Sequence, residues 1–183
     1  MKRFGLILNG SGLDPVNYKG SLTSSDFAAE VFGVSSEEDT LKAAEALASR
    51  GAAFINLCGD YNGDQAAALA RHLNGAVKVS HVKYSPEESR KMEQLTDFSE
   101  YGFIVHGEGF HPHSHNLRLE APGCNTRLVG AETMEEAEEA ARKMVDDGIS
   151  FIELCGAFSG EMTARIIQAV ESRVPVGSAG LDK

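Results

Sequence analysis

Residues 151–160 read FIELCGAFSG, and residues 54–63 read FINLCGDYNG. In each copy a strand-like Phe-Ile-x-Leu-Cys run meets a glycine loop, and a helix-like segment follows. The copies part at one mid-strand position, Asn56 against Glu153, and within the loop. They read as one ancestral site of which only the second copy keeps an ionisable group.

The same offset of 97 residues, Phe54 to Phe151, continues in both directions. It pairs Gly10 with Gly107, Gly12 with Gly109, Pro15 with Pro112, Gly33 with Gly130, Gly51 with Gly148, Cys58 with Cys155 and Val77 with Val174. The chain is a tandem duplication. Most matches are glycines or apolar residues, so the copies share backbone geometry and packing first. Each copy exceeds a solenoid repeat and is large enough to be a half-domain or a small domain.

Within each copy strands and helices alternate. Residues 5–9, GLILN, and 102–106, GFIVH, read as first strands ended by glycines. Residues 14–29 and 111–120 are weakly patterned and read as loop or one to two helical turns, with Pro112 placed to open a short helix. Second strands are expected over 30–34 and 126–131, and fourth strands over 76–80 and 174–177. Ser36 is placed to cap a helix whose first turn holds Glu37, Glu38 and Asp39, and Thr133 with Glu136 makes a capping box in the second copy. Gly51 and Gly148 are placed to stop these helices, and further helices are expected over 64–73 and 161–170.

Ser85-Pro86-Glu87-Glu88 starts a connecting helix over 86–96. The expected organisation is repeat one at 1–84, a connecting helix at 85–100 and repeat two at 101–183, forming one integrated body without a low-complexity linker. Eight strands alternating with helices imply an α/β fold with parallel sheet. The favoured closure is a compact eight-stranded (β/α) barrel-like fold made of two half-barrels, which leaves no sheet edge. The alternative is two small four-stranded α/β domains packed about a pseudo-twofold. The chain's 183 residues fall short of the usual barrel length.

With 42% apolar residues the chain can bury a core without metals or disulfides. A formal charge of −10 and the lack of any Lys/Arg run argue against nucleic-acid and anionic-membrane partners. No apolar run reaches membrane-span length, and Gly10 ends the first one too early for a signal peptide, so a cytoplasmic protein is expected. Three cysteines, two of them at matching positions, suit reduced thiols.

Chemistry in a parallel sheet is expected beyond the carboxyl ends of the strands. Strand alternation puts Phe151, Glu153 and Cys155 on one side. A carboxylate inside a strand buried on both faces is costly unless it is paired or lines a solvated pocket. Glu153 is therefore the leading catalytic candidate, against a structural reading in which it pairs with Arg127 or Arg165. Residues 106–115, HGEGFHPHSH, gather His106, Glu108, His111, His113 and His115. His106 and His115 are candidates for acid–base partners of Glu153, while His111, His113 and Glu108 are candidate ligands for a divalent metal, although their spacing matches no zinc signature. The loop before the following helix offers Gly156, Ser159 and Gly160 as an anion cradle, which Asp60 and Asp64 oppose in repeat one. Cys155 is a candidate catalytic thiol, or a small buried apolar residue at a strand end. There is no P-loop lysine and no nucleophile elbow.

The run His-Pro-x-x-His at 111–115, LEAPG at 119–123, VGA at 129–131, FIELCGAFSGE and VPVGSAGLD resembles an uncharacterised bacterial and archaeal family whose usual member carries a single repeat. The resemblance covers nearly all of repeat two and, more weakly, repeat one. It implies a fold unit and candidate positions, Pro112, His115, Glu120, Glu153, Cys155, Gly156 and Phe158, but no reaction. His111 stands where that family has aspartate, which Asp14 of repeat one keeps. Single-repeat relatives would have to pair, so this chain resembles such a dimer fused in tandem.

These readings favour a small-molecule-binding protein with lyase- or isomerase-like chemistry on a small anionic metabolite. The alternatives are a non-catalytic metal- or ligand-binding module built on residues 106–115 and a structural assembly protein. Self-association is a possible partner mode. No cofactor is identified, and a divalent metal is the one candidate.

Overall fold

The computed structural model describes residues 1–181, so Asp182, the last residue of the VPVGSAGLD run, lies outside the described residues. The chain divides into two compact units, residues 1–81 and residues 82 onward. In the first, β1 (Lys2–Asn9), β2 (Lys19–Thr23), β3 (Phe27–Val34), α1 (Glu37–Ser49), β4 (Phe54–Gly59), α2 (Gly63–His72) and β5 (Lys78–His81) follow in turn. They form one five-stranded sheet of order β2-β3-β1-β4-β5. All neighbours are parallel except β2, which runs antiparallel to β3.

Both crossovers, β3 to β4 and β4 to β5, advance in one direction along the sheet, so α1 and α2 lie on the same face. Ile7, Phe32, Val34, Ile55 and Leu57 form that face and pack on Ala43, Ala44, Leu47, Ala66 and Leu69. Gly5 lies directly beneath Leu47, whose Cδ1 is 2.3 Å from where a Cβ would stand. The opposite face carries Leu6, Leu8, Asn56 and Cys58, all buried.

The second unit repeats the plan with α3 (Pro86–Gln94), β6 (Glu100–His106), β7 (Asn116–Ala121), β8 (Cys124–Ala131), α4 (Met134–Asp146), β9 (Phe151–Gly156), α5 (Gly160–Ala169) and β10 (Val176–Ser178). Its sheet order is β10-β9-β6-β8-β7, with β7 antiparallel to β8. The segment before β6 covers the β10 edge. Lys83 bridges to Ser178 antiparallel, and the buried Glu88 of α3 accepts the Val176 N–H at 2.8 Å. An otherwise open row of backbone donors is thereby satisfied.

The eight-stranded barrel expected from the alternation is not formed. Each unit has five strands, and the additional ones, β2 and β7, come from stretches that read as loop. Only 14–18 and 111–115 make a single turn, closed by Tyr18 N–H to the Asp14 carbonyl at 2.9 Å and His115 N–H to the His111 carbonyl at 2.8 Å. Each sheet ends in an antiparallel edge strand and is open. Helix starts follow their signals: Ser36 accepts from Asp39 N–H, and Thr133 with Glu136 forms the full capping box.

The strand-to-helix turn brings backbone close against backbone in both units. Gly59 and Gly156 have φ of 82° and 86°, and a Cβ there would stand 2.6 Å from the Asn9 and His106 carbonyl oxygens respectively. Gly12 has φ of 77° with nothing within 4 Å of its would-be Cβ. Gly12→Ala is expected to cost about 1 kcal/mol from backbone strain alone, and Gly59→Ala or Gly156→Ala about 3 kcal/mol or more from strain plus backbone collision. Urea unfolding midpoints of the three variants check the ranking; equal losses would show that the close approach carries no weight.

Candidate functional site

The tight turn at Gly59 sends the chain across the helix-bearing face and places Tyr61 between α1 and α2. There the first unit leaves a cleft of about 410 Å³ lined by Asn9, Ser36, Thr40, Leu57, Tyr61 and Gln65, with Glu37, Ala68 and His72 also bordering it. It lies at the carboxyl ends of β1, β3 and β4, where parallel sheets place their ligands. The Thr40 hydroxyl lies 2.9 Å from the Ser36 carbonyl, to which it can donate, and 2.7 Å from the Tyr61 hydroxyl, a contact in which either oxygen can be the donor. Burial pushes the Tyr61 phenol up to about 12, against the lowering effect of the Thr40 hydrogen bond. Gln65 closes a capping box with Asn62, which commits its Oε1 and leaves its NH₂ as a donor.

At the matching positions of the second unit the space is filled. Phe158 replaces Tyr61 and is buried, Met134 and Met162 replace Glu37 and Gln65 and pack on the core, and Ala137 replaces Thr40. Arg165, in place of Ala68, joins α5 to Glu135 and Glu138 of α4 at 3.3 and 2.7 Å. As a result α4 and α5 pack against each other, whereas α1 and α2 flank the cleft and are joined by His72 and Glu45 at 2.8 Å. The sequence reading missed this cleft. Its signal was present as small or polar residues in one copy against bulky ones in the other.

Glu153 is 1% exposed and accepts a hydrogen bond from the Tyr84 hydroxyl at 2.8 Å. Its register partner Gly177 makes this possible, because a Cβ there would stand 2.6 Å from Tyr84 Cζ. In the first unit the same pair of positions is Asn56 and Ser80, joined at 2.6 Å. The structural alternative for Glu153 does not occur, since Arg127 pairs with Asp147 and Arg165 with Glu135 and Glu138.

The other predicted residues divide. Phe103 pairs with Glu153 and His106 with Gly156, so His106 projects to the helix side and Glu153 to the other. His106 is therefore not a partner of Glu153. Its ring lies 5.5 Å from Phe158, and its Nδ1 is 3.2 Å from the Ala131 carbonyl. Cys155 shares the Glu153 face and is fully buried. His115 sits beside Gly130 and Phe110, its Nδ1 accepting from His111 N–H at 3.0 Å. Ser159 uses its hydroxyl to cap α5 through Met162 N–H, between the left-handed Gly156 and the first residue of the helix, Gly160.

His111 is drawn to Glu136 at 2.8 Å and Glu132 at 3.9 Å, His113 borders a separate hollow with Arg127 and Lys143, and Glu108 is exposed. Among the described residues, no group of three or more His, Cys, Asp or Glu side chains is arranged to hold a metal ion. No helix among them is long and apolar enough to cross a membrane.

This duplicated arrangement of an open sheet with both helices on one face defines the class. The chain belongs to the DUF6506 family, a family of unknown function, whose model matches it twice, over residues 2–97 and 99–183. No curated protein matches it in sequence. Among solved structures it is similar to the sirohydrochlorin chelatase SirB of Bacillus subtilis subspecies spizizenii in complex with cobalt, at 14% identity over 99% of this chain and 89% of that one, with a TM-score of 0.31. A solute-binding protein of an ABC transporter system from Conexibacter woesei matches at 12% identity over 96% of this chain and 69% of that one, with a TM-score of 0.29. A periplasmic solute-binding protein from Actinobacillus succinogenes with bound D-allose matches at 9% over 94% and 74%, also at 0.29. Superposition at this level assigns no activity.

Two outcomes follow from the geometry. The hydrogen bond to Glu136 raises the His111 imidazole above its ordinary value of 6.5, with burial opposing. Burial pushes the Glu136 carboxyl up, but bonds from His111 and the Thr133 and Glu132 amides outweigh it and hold it below the usual range. The pair should therefore stabilise the fold fully below the ordinary imidazole value, lose that contribution as pH rises through the raised His111 value, and lose it again as acid protonates Glu136. Glu136→Gln, which keeps the capping box, should bring the His111 NMR titration midpoint back down; an unmoved midpoint would refute the pairing. Separately, Tyr84→Phe should destabilise the chain by about 1–3 kcal/mol in urea unfolding by leaving the buried Glu153 a donor short.

Proposed function

We propose that the protein binds a small molecule in the cleft between α1 and α2 of its first unit. The observation that carries this reading is the contrast between the two copies: the same position is open and polar in the first and filled by Phe158, Met162 and Arg165 in the second. A volume of about 410 Å³ fits the range of small-ligand sites. The second copy also supplies a closed version whose side chains this fold accommodates.

The test is a metabolite library screened by thermal shift against the wild-type chain and against the double variant Gln65→Met/Ala68→Arg. A ligand at one hundred times its dissociation constant adds about 2.7 kcal/mol of stability. That stabilisation is expected in the wild type and absent from the double variant, whose own melting temperature falls by a few degrees because Gln65→Met gives up half of the α2 capping box. Hits that stabilise both equally would remove the cleft from consideration.

A second reading, lyase- or isomerase-like acid–base chemistry on a small anionic metabolite, is favoured by the buried Glu153 carboxylate and its Tyr84 partner. Glu153→Gln keeps an acceptor for Tyr84 but removes the base. Under this reading the variant folds normally and loses its response to anionic metabolites in the same screen. An unchanged response leaves Glu153 as a structural group.

A further inference from the structure

We infer that the first-unit cleft takes an uncharged molecule that bears hydroxyl or amide groups as well as apolar surface, and that it turns anions away. This rests on the cleft being the binding site. Its polar side chains Asn9, Ser36, Thr40, Tyr61 and Gln65 are neutral, and Leu41, Leu57 and Leu69 add apolar surface among them. The cleft is lined by no Lys or Arg, and its one imidazole, His72, is bonded to Glu45 at 2.8 Å. Its carboxylate, Glu37, stands in the first turn of α1 with Glu38 and Asp39, so the positive end of that helix is already answered by three acidic side chains.

The hydrogen-bond inventory points the same way. The Tyr61 hydroxyl shares one hydrogen bond with Thr40 and can make another, while the Gln65 NH₂ remains a donor. A hydroxyl or a primary amide meets both, since each can give and take a hydrogen bond. The phenol stays protonated across the physiological range, being pushed up to about 12, so it is uncharged in use.

The experiment uses the full chain with three sets of probes at millimolar concentration, followed by saturation-transfer NMR and titration calorimetry. The neutral set is D-ribose, myo-inositol and nicotinamide; the anions are inorganic phosphate and succinate; the amine is ethanolamine. At least one neutral probe is expected to bind, about fivefold to tenfold more weakly in Tyr61→Phe, and not at all in Ala68→Arg. Binding of an anion or the amine, lost in Ala68→Arg, would overturn the ligand class while keeping the cleft. Failure of every probe, or binding indifferent to Ala68→Arg, would overturn the cleft itself. Ala68 is exposed on α2 and arginine is the residue the second copy carries there, so loss of binding would not be a folding defect.

Discussion

Where the third parallel strand of each unit ends, its glycine passes within contact distance of a neighbouring carbonyl, Gly59 against Asn9 and Gly156 against His106. A side chain of any kind would push these backbones apart. The left-handed turn at that point directs the next residues over the helix-bearing face and sets where the following helix starts. Asn62 and Ser159 then cap α2 and α5 at the same distance from the turn. Whatever occupies the space two residues beyond the glycine, Tyr61 or Phe158, is aimed between the two helices by this one constraint.

With the frame fixed, the copies were free to differ in chemistry, and they do so in matched sets. Glu30 pairs with Arg50 in the first unit, and the equivalent positions hold Arg127 and Asp147, the same ion pair with its charges exchanged. Asn56 with Ser80 becomes Glu153 with Tyr84, and the loss of a side chain at Gly177 is what lets the larger partner in. Such exchanges keep each of these side chains paired while changing what the interior contains. The helix-to-helix space departs from this rule, because one copy fills it with core side chains and the other does not.

The parts of the fold legible in sequence were those with local causes. Ser36, Thr133, Gly51 and Gly148 announced helix ends through their own hydrogen bonds and dihedrals, and these depend on nothing distant. The hairpins of β2 and β7 were missed because each edge strand is short and shows little burial: in Lys19–Thr23 only Leu22 is buried. Without them the strand count is four per copy, the number from which two copies could make an eight-stranded ring. The antiparallel edge that each sheet has instead is a long-range property.

The site divided along the same line. Alternation within FIELC correctly set Glu153 and Cys155 on one face, yet the facing of His106 depended on its register against Gly156, which no single strand reveals. The histidine-rich loop drew attention by density, but its imidazoles are placed by separate neighbours, Glu136 for His111 and Phe110 for His115. A duplicated chain carries a stronger signal than density. Where two copies share a backbone, a position that is Ala68 in one and Arg165 in the other marks a difference in space rather than in fold. Read position by position, that comparison leads to the cleft directly, because Ala68 gives up far more volume against Arg165 than Thr40 and Tyr61 regain against Ala137 and Phe158.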